Sequence, residues 1–361
     1  MKARYKKLKN IKSKRKEKPK NEKKFNYGLS ILKSISAFLV VVAHNFNRKY
    51  SKNKLIINIT KERFLHVPSF FIISFYFSCK NFISLNIKLF FIRLIRLLIP
   101  YVGWSFIIWK INHFLNIKYN KKLMDTYEDL KWQLLWGKQY MIQFWFLWDL
   151  IIMTIIFYII LFIFRKHYLF ILQIILILSY IGQYSGYVFK KLYFDYARRY
   201  RINKTTLEFS FESIPFTITG FTLGYYKAFD IIQKCKIKTL ILSILIYNIS
   251  ADYNIFTEIK GIAYQGIKYN IQSICVVFIF SLFPSDKIRN KYLSKLLKEL
   301  TKYTGGVFYL HTSIHSFFED YFIIMKKRTF QGVILTYIIC YFISFVGALI
   351  FGKTPIKYLF Y

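Results

Sequence analysis

The chain has 361 residues, 55% of them apolar and 21% aromatic, with a mean hydropathy of +0.30. Lys and Arg number 55 against 17 acids, a formal net charge of +38. So apolar a composition excludes an ordinary soluble domain and points to a polytopic membrane protein. The charge excess fits contact with polyanions, either anionic lipid headgroups or a multiply charged phosphate ligand. An AT-rich coding sequence would produce the same load of Lys, Ile, Asn, Tyr and Phe. Nucleic acid is not expected as a partner, because a basic binding groove belongs to a soluble fold.

In chain order, residues 1–24 hold eleven Lys and two Arg against two Glu. No globular core can come from them, and they read as a disordered cytoplasmic tail able to lie on anionic lipid. The apolar run that follows ends in Ala43-His44-Asn45-Phe46 rather than a small-x-small cleavage site, so it is expected as an uncleaved first span. Residues 25–361 then form one membrane domain. Ten spans are expected, near 29–45, 64–82, 97–116, 142–164, 168–182, 212–227, 237–250, 268–284, 303–325 and 330–352. The runs are continuous rather than alternating, which predicts helices and not a barrel.

A basic tail held inside and an even span count put both termini in the cytoplasm. Arg48, Lys49, Arg63, Arg198, Arg199, Arg201 and the Lys326-Lys327-Arg328 run break that rule and would face out. The polar connections 117–141 and 183–211 are the longest, and the second reads as an interfacial or re-entrant piece. Its aromatics suit headgroup level or sugar rings. Cys79, Cys235, Cys275 and Cys340 form no metal-site spacing, and most read as packed thiols.

The first span, LSILKSISAFLVVVAHN, carries two residues that apolar surroundings do not favour. Lys33 and His44 are eleven positions apart. Eleven steps of a 3.6-residue helix make almost three turns, so the two share a face about 16 Å apart along the axis. With Ser30, Ser34, Ala37 and Val41, that face reads as the wall of a polar tunnel. Lys33 could alternatively snorkel to the interface. Ionisable groups inside spans are by default functional.

The stretch resembles the first span of the membrane-bound acyltransferase 3 family, whose signature is a basic residue, ten residues, then histidine. Within it, the fucose 4-O-acetylase-like subgroup is the nearest in pattern. Ser30 stands where members often carry an acid. Further pieces match in order: His66 to Tyr76 (HVPSFFIISFY), with Phe75 in place of a usual Gly; Arg93 to Tyr101 (RLIRLLIPY); Phe144 to Trp148 (FWFLW); Pro215 to Gly224 (PFTITGFTLG); and Gly306 to His311 (GVFYLH).

The resemblance implies an all-α fold of about ten transmembrane helices in the cell (cytoplasmic) membrane. It implies transfer of an acyl group, usually acetyl, from acetyl-CoA to a hydroxyl of a surface polysaccharide or lipid-linked sugar. His44 is expected as general base, since a thioester is already activated and histidine has the right basicity to deprotonate a hydroxyl. A covalent acyl-histidine stays open. Lys33 is expected on the same route. Arg93 and Arg96, i,i+3 on one face, with Lys88 nearby, are expected to clamp the phosphates of acyl-CoA, or to anchor the span by the positive-inside rule. His66, Ser74 and Trp145 are placed on the acceptor side. His311 and His315 are i,i+4, but with no third ligand evident they read as packing or polar lining, and no metal is expected. The rival reading is a glycan or lipid exporter. It should show repeat symmetry or a charged central cavity, and the sequence shows neither.

Overall fold

The computed structural model describes residues 26–46, 67–119, 127–136, 144–182, 204–252, 267–283, 290–319 and 321–360. The basic tail and His66 lie outside them. Among the described residues the structure is helical, without strands. The helices are α1 (Tyr27–Asn45), α2 (Val67–Ile83), α3 (Ile87–Tyr119), α4 (Tyr127–Trp136) and α5 (Trp145–Ile163). They continue as α6 (Tyr168–Gly182), α7 (Lys204–Tyr225), α8 (Ala228–Lys234), α9 (Lys236–Asp252) and α10 (Ile267–Ser281). Then come α11 (Lys291–Lys302), α12 (Thr304–Phe318), α13 (Ile323–Lys326), α14 (Phe330–Phe351) and a closing 3₁₀ turn, Pro355–Leu359.

A helix stands at each of the ten expected spans. Among the described residues, four helices are long and apolar enough to cross a membrane by length and composition: α1, the Ile87–Ile111 part of α3, α5 and α14. Three boundaries differ from the sequence reading. The third span was expected to begin after Arg96, at the approach to Pro100. Instead α3 starts at Ile87 and runs through Pro100 as 33 residues, roughly 50 Å of helix. A proline inside a membrane helix is tolerated where neighbours and local adjustment satisfy the freed backbone groups. Second, α7 begins at Lys204, so the last part of the connection 183–211 is helical and continuous with the span that follows. Third, the stretch 303–325 is not one span. α12 stops at Phe318, and the short α13 leads to α14, whose start is capped by the Thr329 hydroxyl accepting from Gly332 N at 3.2 Å.

α1 is the hub. It packs against α2, α10, α11, α12 and α14. Leu32, Ala37 and Val41 are fully buried. α2 and α7 form the closest pair, and the reason is two glycines one helical turn apart. A Cβ at Gly220 would lie 2.3 Å from the Ile72 carbonyl oxygen, and one at Gly224 would lie 2.7 Å from Tyr76 O and Cys79 Cβ. Small residues at this spacing let helix backbones touch where no hydrophobic driving force separates helix from lipid. The chain end is tied back by Trp104 on α3, whose buried indole N–H donates to Leu359 O at 2.7 Å.

Candidate active site

The N-terminal turns of α1 open onto a cavity of about 550 Å³. Its polar lining includes Ser30 and Lys33 of α1, Ser74 and Ser78 of α2, and Arg93 of α3; Phe308 of α12 helps form the apolar part. None of the residues lining it is acidic. Among the described residues the ion pairs lie elsewhere, at Lys131–Glu128 and Lys302–Glu299. Ser30, at the place where an acid is familiar, leaves Lys33 without a local counter-charge. Two cations thus share a largely apolar space whose described lining carries no acid. Like charges at low dielectric repel strongly, and an anionic guest relieves that cost.

Arg93 is held by groups from two helices, α2 and α5. Its Nε donates to Thr154 Oγ1 at 3.0 Å, Nη2 to Ser74 Oγ at 3.1 Å, and Nη1 to Ser78 Oγ. Its guanidinium carbon also lies 5.2 Å and 5.4 Å from the Phe75 and Phe82 ring centroids. These contacts fix the planar fork, and each of them is made by a neutral group. Phe75, which replaces a usual Gly, is fully buried and stacks on Phe82 at 5.6 Å. It is a wall of the arginine cage, so the departure from the motif has a packing role here.

The structure separates Arg96 from Arg93. Arg96 is exposed and stacks over Tyr358 at 5.4 Å. Three residues along a helix is a rotation of about 300°, enough for one side chain to face the bundle while the other leaves it. Lys88 is exposed too, and neither lines the cavity. Ser74, expected on the acceptor side, lies on the same cavity as Lys33 and Arg93. Trp145 is buried against Phe71, with ring centroids 6.2 Å apart, and does not line the cavity.

The face between Lys33 and His44 is not an open tunnel. Ala37 and Val41 on it have no exposed surface. The link from the cavity to His44 runs along α12 instead. Phe308 lines the cavity, and its ring centroid lies 6.1 Å from that of His311. The His311 ring in turn lies 5.3 Å from that of His44, tilted by 41°. His311 is fully buried, and its Nδ1 lies 2.8 Å from Phe308 O. A carbonyl only accepts, so Nδ1 carries the proton and Nε2 of the neutral ring keeps its lone pair. That Nε2 has no hydrogen-bond partner. His315 points to another neighbour. Thr336 Oγ1 gives its own proton to Gly332 O, so it accepts from His315 Nδ1 at 3.0 Å.

Residues 26–353 match the acyltransferase domain of the acyltransferase 3 family. The chain belongs to that family. Comparison with curated proteins and with solved structures gave no match. The family match makes this a membrane acyltransferase domain and covers every element that builds the cavity and the His44–His311 contact. Sequence reading gave His311 only as packing or lining. A signal was present, since paired ionisable residues on an apolar acyltransferase helix are seldom idle, but nothing local tied α12 to α1.

Proposed function

We propose that the protein is an acetyl-CoA-dependent O-acetyltransferase of the cytoplasmic membrane, nearest in kind to the fucose 4-O-acetylase-like members of its family. The domain crosses the membrane about ten times, with both termini in the cytoplasm. The acceptor is a hydroxyl of a surface polysaccharide or lipid-linked sugar. The observation that carries this reading is the cavity at the start of α1, with Lys33 and Arg93 inside it and no acid, joined through Phe308 and His311 to His44.

Its size suits part of a ligand rather than a whole nucleotide thioester. Lys33 and Arg93 hold an anionic portion of the donor, and Ser30, Ser74 and Ser78 offer hydroxyls beside it. Lys88 and Arg96, exposed on α3, are available to phosphates outside the cavity mouth.

His44 acts as general base. One ring nitrogen takes the proton of the acceptor hydroxyl as its oxygen attacks the thioester carbonyl. The carbon–oxygen ester bond forms, the carbon–sulfur bond breaks, and the proton passes to the departing thiolate. His44 and Lys33 are separated by about 16 Å of helix. The base therefore acts at the far end of the donor from the group that anchors it. The test is transfer of labelled acetyl from acetyl-CoA to membrane glycan by protein in nanodiscs. We expect His44→Ala to insert normally and to lose transfer by about 100-fold or more, in the range that a positioned base supplies. Full activity in that variant would remove His44 from the chemistry. Mass spectrometry of surface glycan with and without the gene identifies the acyl group and acceptor together.

A further inference from the structure

We infer that His311 is a positioning residue for His44: its Nε2 lone pair accepts a hydrogen bond from a His44 N–H. This rests on the reading of His44 as base. Four observations converge on it. His311 is buried, its Nδ1 proton is committed to Phe308 O at 2.8 Å, its Nε2 has no partner, and the ring beside it is His44, 5.3 Å away between centroids. That separation leaves room for one nitrogen of each ring to meet at hydrogen-bond distance. A buried acceptor left without a donor is destabilising, and His44 is the ring beside it that can supply an N–H.

The consequence is chemical. A neutral imidazole carries one proton on two nitrogens. With its N–H held by His311, His44 keeps that proton on the inner nitrogen and turns its lone pair outward, to the acceptor hydroxyl. When His44 takes up the hydroxyl proton, the cation still donates to the same Nε2. His311 itself neither gains nor loses a proton in the cycle, because Nδ1 keeps the proton that it donates to the Phe308 carbonyl. It plays toward His44 the orienting part that a carboxylate plays in a Ser-His-Asp triad, with a neutral acceptor in place of a charged one. The arrangement also ties the base to the donor site, since Phe308, which supplies that carbonyl, lines the cavity of Lys33 and Arg93.

The test uses the full chain in nanodiscs with His311→Leu and His311→Gln. Leucine fills the site without an acceptor, and glutamine brings an amide oxygen near the place of Nε2. Nitrogen NMR on ¹⁵N-histidine protein, with His44 assigned by its own substitution, reads the tautomer without turnover. We expect one fixed His44 tautomer in wild type and His311→Gln, and an average of two in His311→Leu. In the transfer assay we expect His311→Leu to lower kcat about 100-fold, with KM for acetyl-CoA within about twofold. His311→Gln should return to within about tenfold of wild type. A His44 tautomer unchanged in His311→Leu, or kcat within about threefold of wild type there, overturns the proposal. If His311→Leu does not fold, an averaged tautomer in folded His311→Gln overturns it equally. A fixed wild-type tautomer in a protein that transfers no acyl group would instead refute the reading of His44 as base while leaving the histidine contact standing.

Discussion

Removing Arg93 should act on donor binding alone, and the structure sets the size of the effect. Arg93→Ala deletes one of two cations in a cavity that has no acidic lining. The hydroxyls left behind do not become orphans that unfold the bundle. Thr154 Oγ1 already donates to Leu150 O at 2.6 Å, and serines in helices can do the same to their own carbonyls. The loss is therefore a charged hydrogen bond to the ligand, worth about 1.5–3 kcal/mol. At about 1.4 kcal/mol per factor of ten, KM for acetyl-CoA rises by roughly 10- to 100-fold. kcat should stay within about threefold, because His44, the proposed base, lies about 16 Å along α1 from Lys33. Arg96→Ala is the control on the same helix. Its exposed guanidinium over Tyr358 is screened by solvent, and its removal should change KM less than about threefold. The assay is initial-rate transfer in nanodiscs at saturating acceptor, with acetyl-CoA varied. Equal effects of the two substitutions, or an Arg93→Ala KM within threefold of wild type, would refute the separation of the two arginines argued from their surroundings.

Gly220→Val should destabilise more than most single changes. The added Cβ meets Ile72 O at 2.3 Å, a backbone atom that cannot turn aside, so a cost at or above the usual 1–3 kcal/mol of overpacking is expected as a lowered melting temperature in detergent. Trp104→Phe leaves the buried Leu359 carbonyl without its donor; we expect a loss of about 1–3 kcal/mol in stability with kcat nearly unchanged, checked by thermal unfolding beside the transfer assay. Phe75→Ala empties one wall of the arginine cage. It should cost about 3–5 kcal/mol of stability and also raise KM for acetyl-CoA, whereas a purely structural Phe75 would leave KM of the surviving folded protein unchanged.

Short-range features of this protein were legible in its sequence because helix geometry is a local property. Continuous apolar runs predict helices, and a helix stands at each expected span. The Lys33–His44 relation depends only on 3.6 residues per turn and an unbroken α1, which the structure has from Tyr27 to Asn45. The family was legible as well, because its motifs are short and ordered along the chain. Boundaries were less so. The run through Pro100 and the break after Phe318 are set by what neighbouring helices satisfy, and composition alone does not record that.

The environment of each charge was decided by tertiary packing. An i,i+3 pair reads as one clamp on paper, yet α3 meets α2 and α5 with the Arg93 side only. The hydroxyl partners of Arg93 lie 15, 19 and 61 residues away in the chain. Phe75 breaks a motif when read along α2, and becomes intelligible only with the guanidinium over its face. His44 and His311 are 267 positions apart by their numbers, and no periodicity links them. Local sequence determined which residues share a helix face. Which face meets which is a property of the whole packed bundle, and that contact decided where the two cations gather and which side chain stands beside His44.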